Sequence, residues 1–222
     1  MYKRQAGVRA ARLAAAGAGA DPAALDQWLK LVGGDPDLVS TAGPAVPGGL
    51  AIKLYPCCYA LQRPVAALAG LGLDPASVEA IFVRTPAASL QPLNRHSPRT
   101  GLEGKFSLEY GAAAALLDHP VRFASFTDES VVRPEARRLA ERVTVEATAG
   151  GSGLLDGSFV AEVRTATGTR RVELELPPGA PGRPPSEAEL AAKVADCCGP
   201  LAPEVVALGW HEGGDFLRRT LA

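Results

Sequence analysis

VTVEAT (143–148), SFVAEVRT (158–165) and RRVELEL (170–176) alternate apolar and polar residues with a period of two. That period describes strands with one packed and one wet face. Thr167-Gly168 stands between the last two runs and suits a tight turn, so they read as an antiparallel hairpin. On both sides of this region the period becomes helical. Upstream, Thr127 and Asp128 start a helix through 131–142. Before it, 101–118 reads as one long apolar helix, with Thr100 and Glu103 as a capping box. Residues 85–100 are loop, and VEAIFVR (78–84) is a strand apolar on both faces, hence an inner one. Residues 57–71 are helical, with Pro64 expected to kink or interrupt them. AIKLY (51–55) is a short extended segment stopped by Pro56. Downstream, 177–185 is a Pro/Gly linker. Ser186 then caps a helix reaching Cys198, with Glu189 completing a second capping box, and short helices follow at 203–208 and 213–222.

The first fifty residues differ from the rest. An alanine-rich helix at 6–19 precedes a second one opened by Asp21-Pro22, an N-cap followed by a first-turn proline. Leu25, Trp28, Leu29 and Val32 form its apolar stripe, and Gly33-Gly34 ends it before a connecting stretch at 35–49. The expected fold class is therefore α+β. A domain of roughly 52–180 with an antiparallel sheet and helices is flanked by helical segments, within 1–50 and 184–222, that belong to a different packing layer.

Composition excludes several function classes. The formal net charge of -1 is no electrostatic footprint for nucleic acid or an anionic membrane. No apolar run approaches the roughly 18 residues of a membrane span. MYKRQAGVRAARLAAAGAGA lacks the continuous apolar core of a signal peptide, so a cytoplasmic location is expected. The four cysteines form two vicinal pairs, Cys57-Cys58 and Cys197-Cys198, and neither has the spacing of a zinc hook. They read as reduced side chains, and no metal is expected.

Lys53 is the first candidate for chemistry. It interrupts an apolar segment just before Pro-Cys-Cys, which places it at a solvated edge or beside an anion. In the second candidate stretch, Lys105 and Glu109 have i, i+4 spacing, and Tyr110 falls on the face of Leu102 and Ala113. His96 lies between Arg95 and Arg99, a local cationic patch, whereas His119 and His211 stand alone. No phosphate-binding glycine loop, G-x-S-x-G or H-E-x-x-H is present.

Two of these segments are long and unusual. AIKLYPCCYALQRPVAALAGL (51–71) and SPRTGLEGKFSLEYGAAAALLD (97–118) resemble paired motifs of the MmgE/PrpD family, the 2-methylcitrate dehydratase-like proteins. QAGVRAARLAAAGAGADPAAL (5–25) and PPSEAELAAKVADC (184–197) resemble its neighbouring helices more weakly. The resemblance implies a large helical domain, discontinuous in sequence, bearing a smaller α+β lid at 51–183. It implies a cofactor-free hydro-lyase or isomerase of a small polycarboxylate, homodimeric at full length. Decarboxylation or epimerisation of a similar acid is the alternative chemistry. Lys53 becomes the candidate catalytic residue, and Cys58, Gln62 and Tyr110 become candidates for binding substrate. Gln62 stands where the family has His, and Ala66 where it often has Asp. Gln hydrogen-bonds but carries no proton. MYKRQ also matches a translated sequencing-adapter end, so the chain is expected to be the C-terminal part of a longer enzyme. A stand-alone lid subunit and an inactive relative remain open beside that reading.

Overall fold

The structure is a computed structural model and describes residues 2–38, 49–149, 153 and 157–220. These fall into two units, Met1–Gly49 and Leu50–Ala222. The first holds α1 (Tyr2–Ala15) and α2 (Ala24–Leu31), and Asp21 Oδ1 accepts from the Ala23 amide just ahead of α2. The stripe expected on α2 is present but uncovered: Leu25, Trp28 and Val32 are all exposed. The connecting stretch expected after it falls largely on 39–48, outside the described residues.

The second unit contains α3 (Gln62–Ala69), β1 (Val78–Pro86), α4 (Ala87–Leu90), α5 (Gly101–Gly104), α6 (Leu108–Leu117), α7 (Asp128–Val132), α8 (Pro134–Ala140), β2 (Val143–Thr148), β3 (Phe159–Thr165), β4 (Gly168–Leu174), α9 (Glu187–Cys198), α10 (Ala202–Ala207) and α11 (Gly213–Thr220). The four strands form one sheet in the order β2-β1-β3-β4. The α+β class holds, and β3–β4 is the expected hairpin, with Thr165 opposite Gly168. The all-antiparallel expectation needs one correction, because β1 and β2 run parallel. Parallel neighbours require a crossover, and α4 to α8 provide it.

β1 is an inner strand, flanked by β2 and β3. Only one of its faces is packed: Ile81 and Val83 are buried, whereas Phe82 is 45% exposed. On that outer face Glu162 pairs with Arg84 and Arg171, and Arg164 pairs with Glu79. On the inner face of the sheet β3 and β4 pack on α3, which in turn packs on α6. α6 is buried from Tyr110 to Leu116 on all sides, as expected of a helix at the centre of a core. Pro64 does not kink α3. It occupies the first turn, where its missing N–H has no intrahelical acceptor to lose.

Two further expectations change in ways that build the site. The single helix read over 101–118 is two, α5 and α6, broken at 105–107. Ser107 starts the second helix by accepting from the Tyr110 amide at 3.2 Å, so the Lys105–Glu109 pair of an unbroken helix does not form. Glu109 instead meets His96 Nδ1 at 2.8 Å. The segment at 51–55 is not a strand. Its Ile52 N–H donates to the Gly179 carbonyl at 2.8 Å, which ties it to the 177–183 stretch. The 177–183 stretch is thus no free linker, since Pro177, Pro178, Gly179 and Ala180 are buried.

Candidate functional site

A cleft of about 410 Å³ opens where the two unusual motifs meet, lined by Lys53, Pro56, Cys58, Lys105, Phe123 and Lys193 among others. The backbone joins the motifs directly, the Cys58 amide donating to the Lys105 carbonyl at 3.0 Å. Three lysines enter from three elements: the 51–55 segment, the α5–α6 break and α9. Phe123 gathers two of them, with Lys105 Nζ 5.7 Å and Lys193 Nζ 5.3 Å from its ring centre, within cation–π range. No acidic side chain lines the cleft. Among the described residues, none of the three lysines takes part in a salt bridge. The site is a concave cationic pocket with apolar walls, suited to an anion whose body is hydrocarbon.

The structure brings Lys53 and Cys58 together here, and it places Gln62 and Tyr110 elsewhere. Gln62 is fully buried beneath the cleft floor. Its Oε1 accepts from the Tyr55 amide at 3.0 Å, and its Nε2 donates to the Tyr55 carbonyl at 3.0 Å and to Cys57 Sγ at 3.4 Å. It therefore staples the Tyr55-Pro56-Cys57 turn that follows Lys53. The Tyr110 hydroxyl donates to the Ser125 carbonyl, and burial pushes its phenol up to about 12. Tyr110 borders a different cavity, of about 470 Å³, together with His96, Arg99 and Arg137.

Sequence reasoning missed Lys193 and Phe123. Lys193 had no local signal, being one polar residue on an ordinary amphipathic helix. The signal for Lys105 was present and misread: Ser107 is a good N-cap, and treating it as one breaks the helix at the residues that reach the cleft.

Cys57 is buried at the edge of the cleft, 6% exposed. Burial first, then the neighbouring Cys58, push its thiol up to about 12, against the smaller downward pull of Lys53, Lys105 and Lys193. Its contribution to stability is full below the ordinary thiol range and is lost between there and about 12, where the unfolded chain releases the proton first. In the native protein at pH 8, iodoacetamide is expected to modify the exposed Cys197 and to leave Cys57 intact, read by peptide mass spectrometry. Equal labelling of the two would show that the turn over Gln62 is open.

Among the described residues no group of histidine, cysteine and carboxylate side chains is arranged to hold a metal ion. No helix among them is long and apolar enough to cross a membrane.

Comparison with known proteins agrees with the motif pairing. Cis-aconitate decarboxylase of Mus musculus is 36% identical over 69 residues, covering 31% of this chain. The chain spans only 14% of that relative's length. The MmgE/PrpD C-terminal domain matches residues 55–208, a stretch that holds both the Cys-Cys turn and the Lys105 break. By that match the chain belongs to the MmgE/PrpD family.

Proposed function

We propose that this chain is the lid portion of a longer, cofactor-independent enzyme acting on a small polycarboxylate such as 2-methylcitrate. One observation carries the reading: three lysines, none in a salt bridge among the described residues, line a single apolar-walled cleft whose own lining holds no acidic side chain. In a hydro-lyase reaction a C–H bond next to a carboxylate and a C–O bond both break, a C=C bond forms and water leaves. Negative charge builds on the substrate carboxylate as the proton departs. Preplaced ammonium groups stabilise that charge more than they stabilise the ground state. Lys53 is the group assigned to the reacting carboxylate, and Cys58 lines the wall beside it. Gln62 acts indirectly, by fixing the turn that aims Lys53. Tyr110 supports the same architecture from within the core.

A second reading is decarboxylation, favoured by the similarity to the mouse cis-aconitate decarboxylase. It needs the same cations, because loss of CO₂ also leaves a carbanion to be stabilised. The full-length gene product, incubated with 2-methylcitrate and with cis-aconitate, separates the two: an unsaturated product without CO₂ supports the first, and CO₂ release the second. Neither turnover nor binding of either acid would sink the enzyme reading and leave an inactive relative. A homodimeric, cytoplasmic enzyme is part of the proposal, and sedimentation of the full-length product tests the dimer.

A further inference from the structure

Lys193 reaches the cleft from α9, far along the chain from both motifs, and its placement is tightly determined. Ser186 and Glu189 bond each other's backbone amides at 3.2 and 2.8 Å, which fixes where α9 begins. Asp196 then accepts from the Phe123 amide at 3.2 Å. Lys193 is one helical turn before Asp196, on the same side of α9. A single turn thus holds Phe123 twice, by its backbone through Asp196 and by its ring through Lys193. Such an anchor does not require a second lysine on a ring that Lys105 already approaches. Gathering three ammonium groups costs mutual repulsion, and no acidic side chain lines the cleft itself, while Glu189 and Asp196, one turn to either side of Lys193 on α9, line a neighbouring cavity with it. A ligand with three carboxylates compensates every one of them, whereas a dicarboxylate leaves one uncompensated.

We propose that Lys193 is the specificity-determining residue of the cleft. Its ammonium takes the carboxylate that distinguishes a tricarboxylate from a dicarboxylate, while Lys53 and Lys105 hold the other two. The inference rests on the polycarboxylate reading above and names which residue counts the carboxylates. It is tested by isothermal titration of the full-length chain at low ionic strength with tricarballylate and with glutarate, using the unmodified protein, Lys193→Gln and Lys193→Arg. The unmodified chain is expected to prefer tricarballylate at least tenfold. Lys193→Gln is expected to lose about tenfold for tricarballylate while glutarate stays within twofold, and Lys193→Arg to restore the preference. Equal loss for both acids, with a lower melting temperature, would mean that Lys193 only holds α9 in place and would overturn the inference. Retention of the full preference in Lys193→Gln would overturn it as well, leaving the polycarboxylate site standing. If the unmodified full-length product binds neither acid, the cleft is no polycarboxylate site and both readings fall together.

Discussion

Lys53→Ala is expected to lower kcat/KM of the full-length enzyme by about 10² to 10³, the range seen when one preorganised charge-stabilising donor is removed from an active site. Stability should hardly move. Lys53 is exposed and makes no salt bridge, and surface substitutions of that kind stay within about 0.5 kcal/mol. The loss should fall mainly on kcat, because charge on the reacting carboxylate is greatest in the transition state. Lys53→Arg keeps the charge but not the compact ammonium and should recover only part of the rate. A Lys53→Ala enzyme that turns over within twofold of the unmodified protein would remove Lys53 from the chemistry and leave the cleft without its assigned reacting cation.

Gly179→Ala is expected to produce the largest loss of stability, about 3 kcal/mol, together with loss of anion binding. Gly179 has φ +88, a left-handed conformation that costs an L-residue roughly 1–2 kcal/mol. A Cβ at this position would stand 2.0 Å from the Ile52 carbonyl oxygen, so backbone, and not a flexible side chain, must give way. Ile52 immediately precedes Lys53, and its amide bonds to Gly179. The same clash that unsettles the fold therefore displaces Lys53. Gly168→Ala is the control, since Gly168 also has positive φ, at +141, but nothing lies within 4 Å of its Cβ position. Thermal melts should separate the two variants clearly, and a Gly179→Ala protein that melts with the Gly168→Ala control would show that the 177–183 loop does not clamp Lys53.

Much of this architecture was legible because its signals are local. The β3–β4 hairpin follows from period-two alternation around Thr167-Gly168. The start of α9 follows from Ser186 and Glu189, whose side chains bond as a capping box should. What failed to show depends on partners distant in sequence. The parallel pairing of β1 with β2 is a choice between two sheet arrangements that no local pattern distinguishes. Phe82 reads as buried from its apolarity, yet it lies on the face that carries Arg84 and Glu162, and its exposure is decided by the layer count of the domain. The site divides in the same way. Lys53 and Cys58 stood out through an odd local context, whereas Lys193 acquires meaning only once α9 folds back onto Phe123. Gln62 stood out only as the residue found where the resembled family has His, and its hydrogen bonds go to Tyr55 and Cys57.

The hydrogen bond from Ile52 to Gly179 has a kinetic side. The β3–β4 hairpin closes a short loop and α6 forms locally, so both can appear early. Lys53 cannot take its position until 177–183, far downstream, has been built and packed. Contacts between such distant segments bear the loop-closure entropy before they return any stabilisation, and they form late. The cleft is then expected to be among the last regions to mature during folding and among the first to open under thermal or denaturant stress. Any anion that bridges its lysines bonds only the finished structure, so by mass action it raises the melting point of the whole unit and withdraws folded molecules from the pool open to proteolysis. A cell with abundant substrate would for that reason hold more of this protein than one without it, with no change in the rate of synthesis.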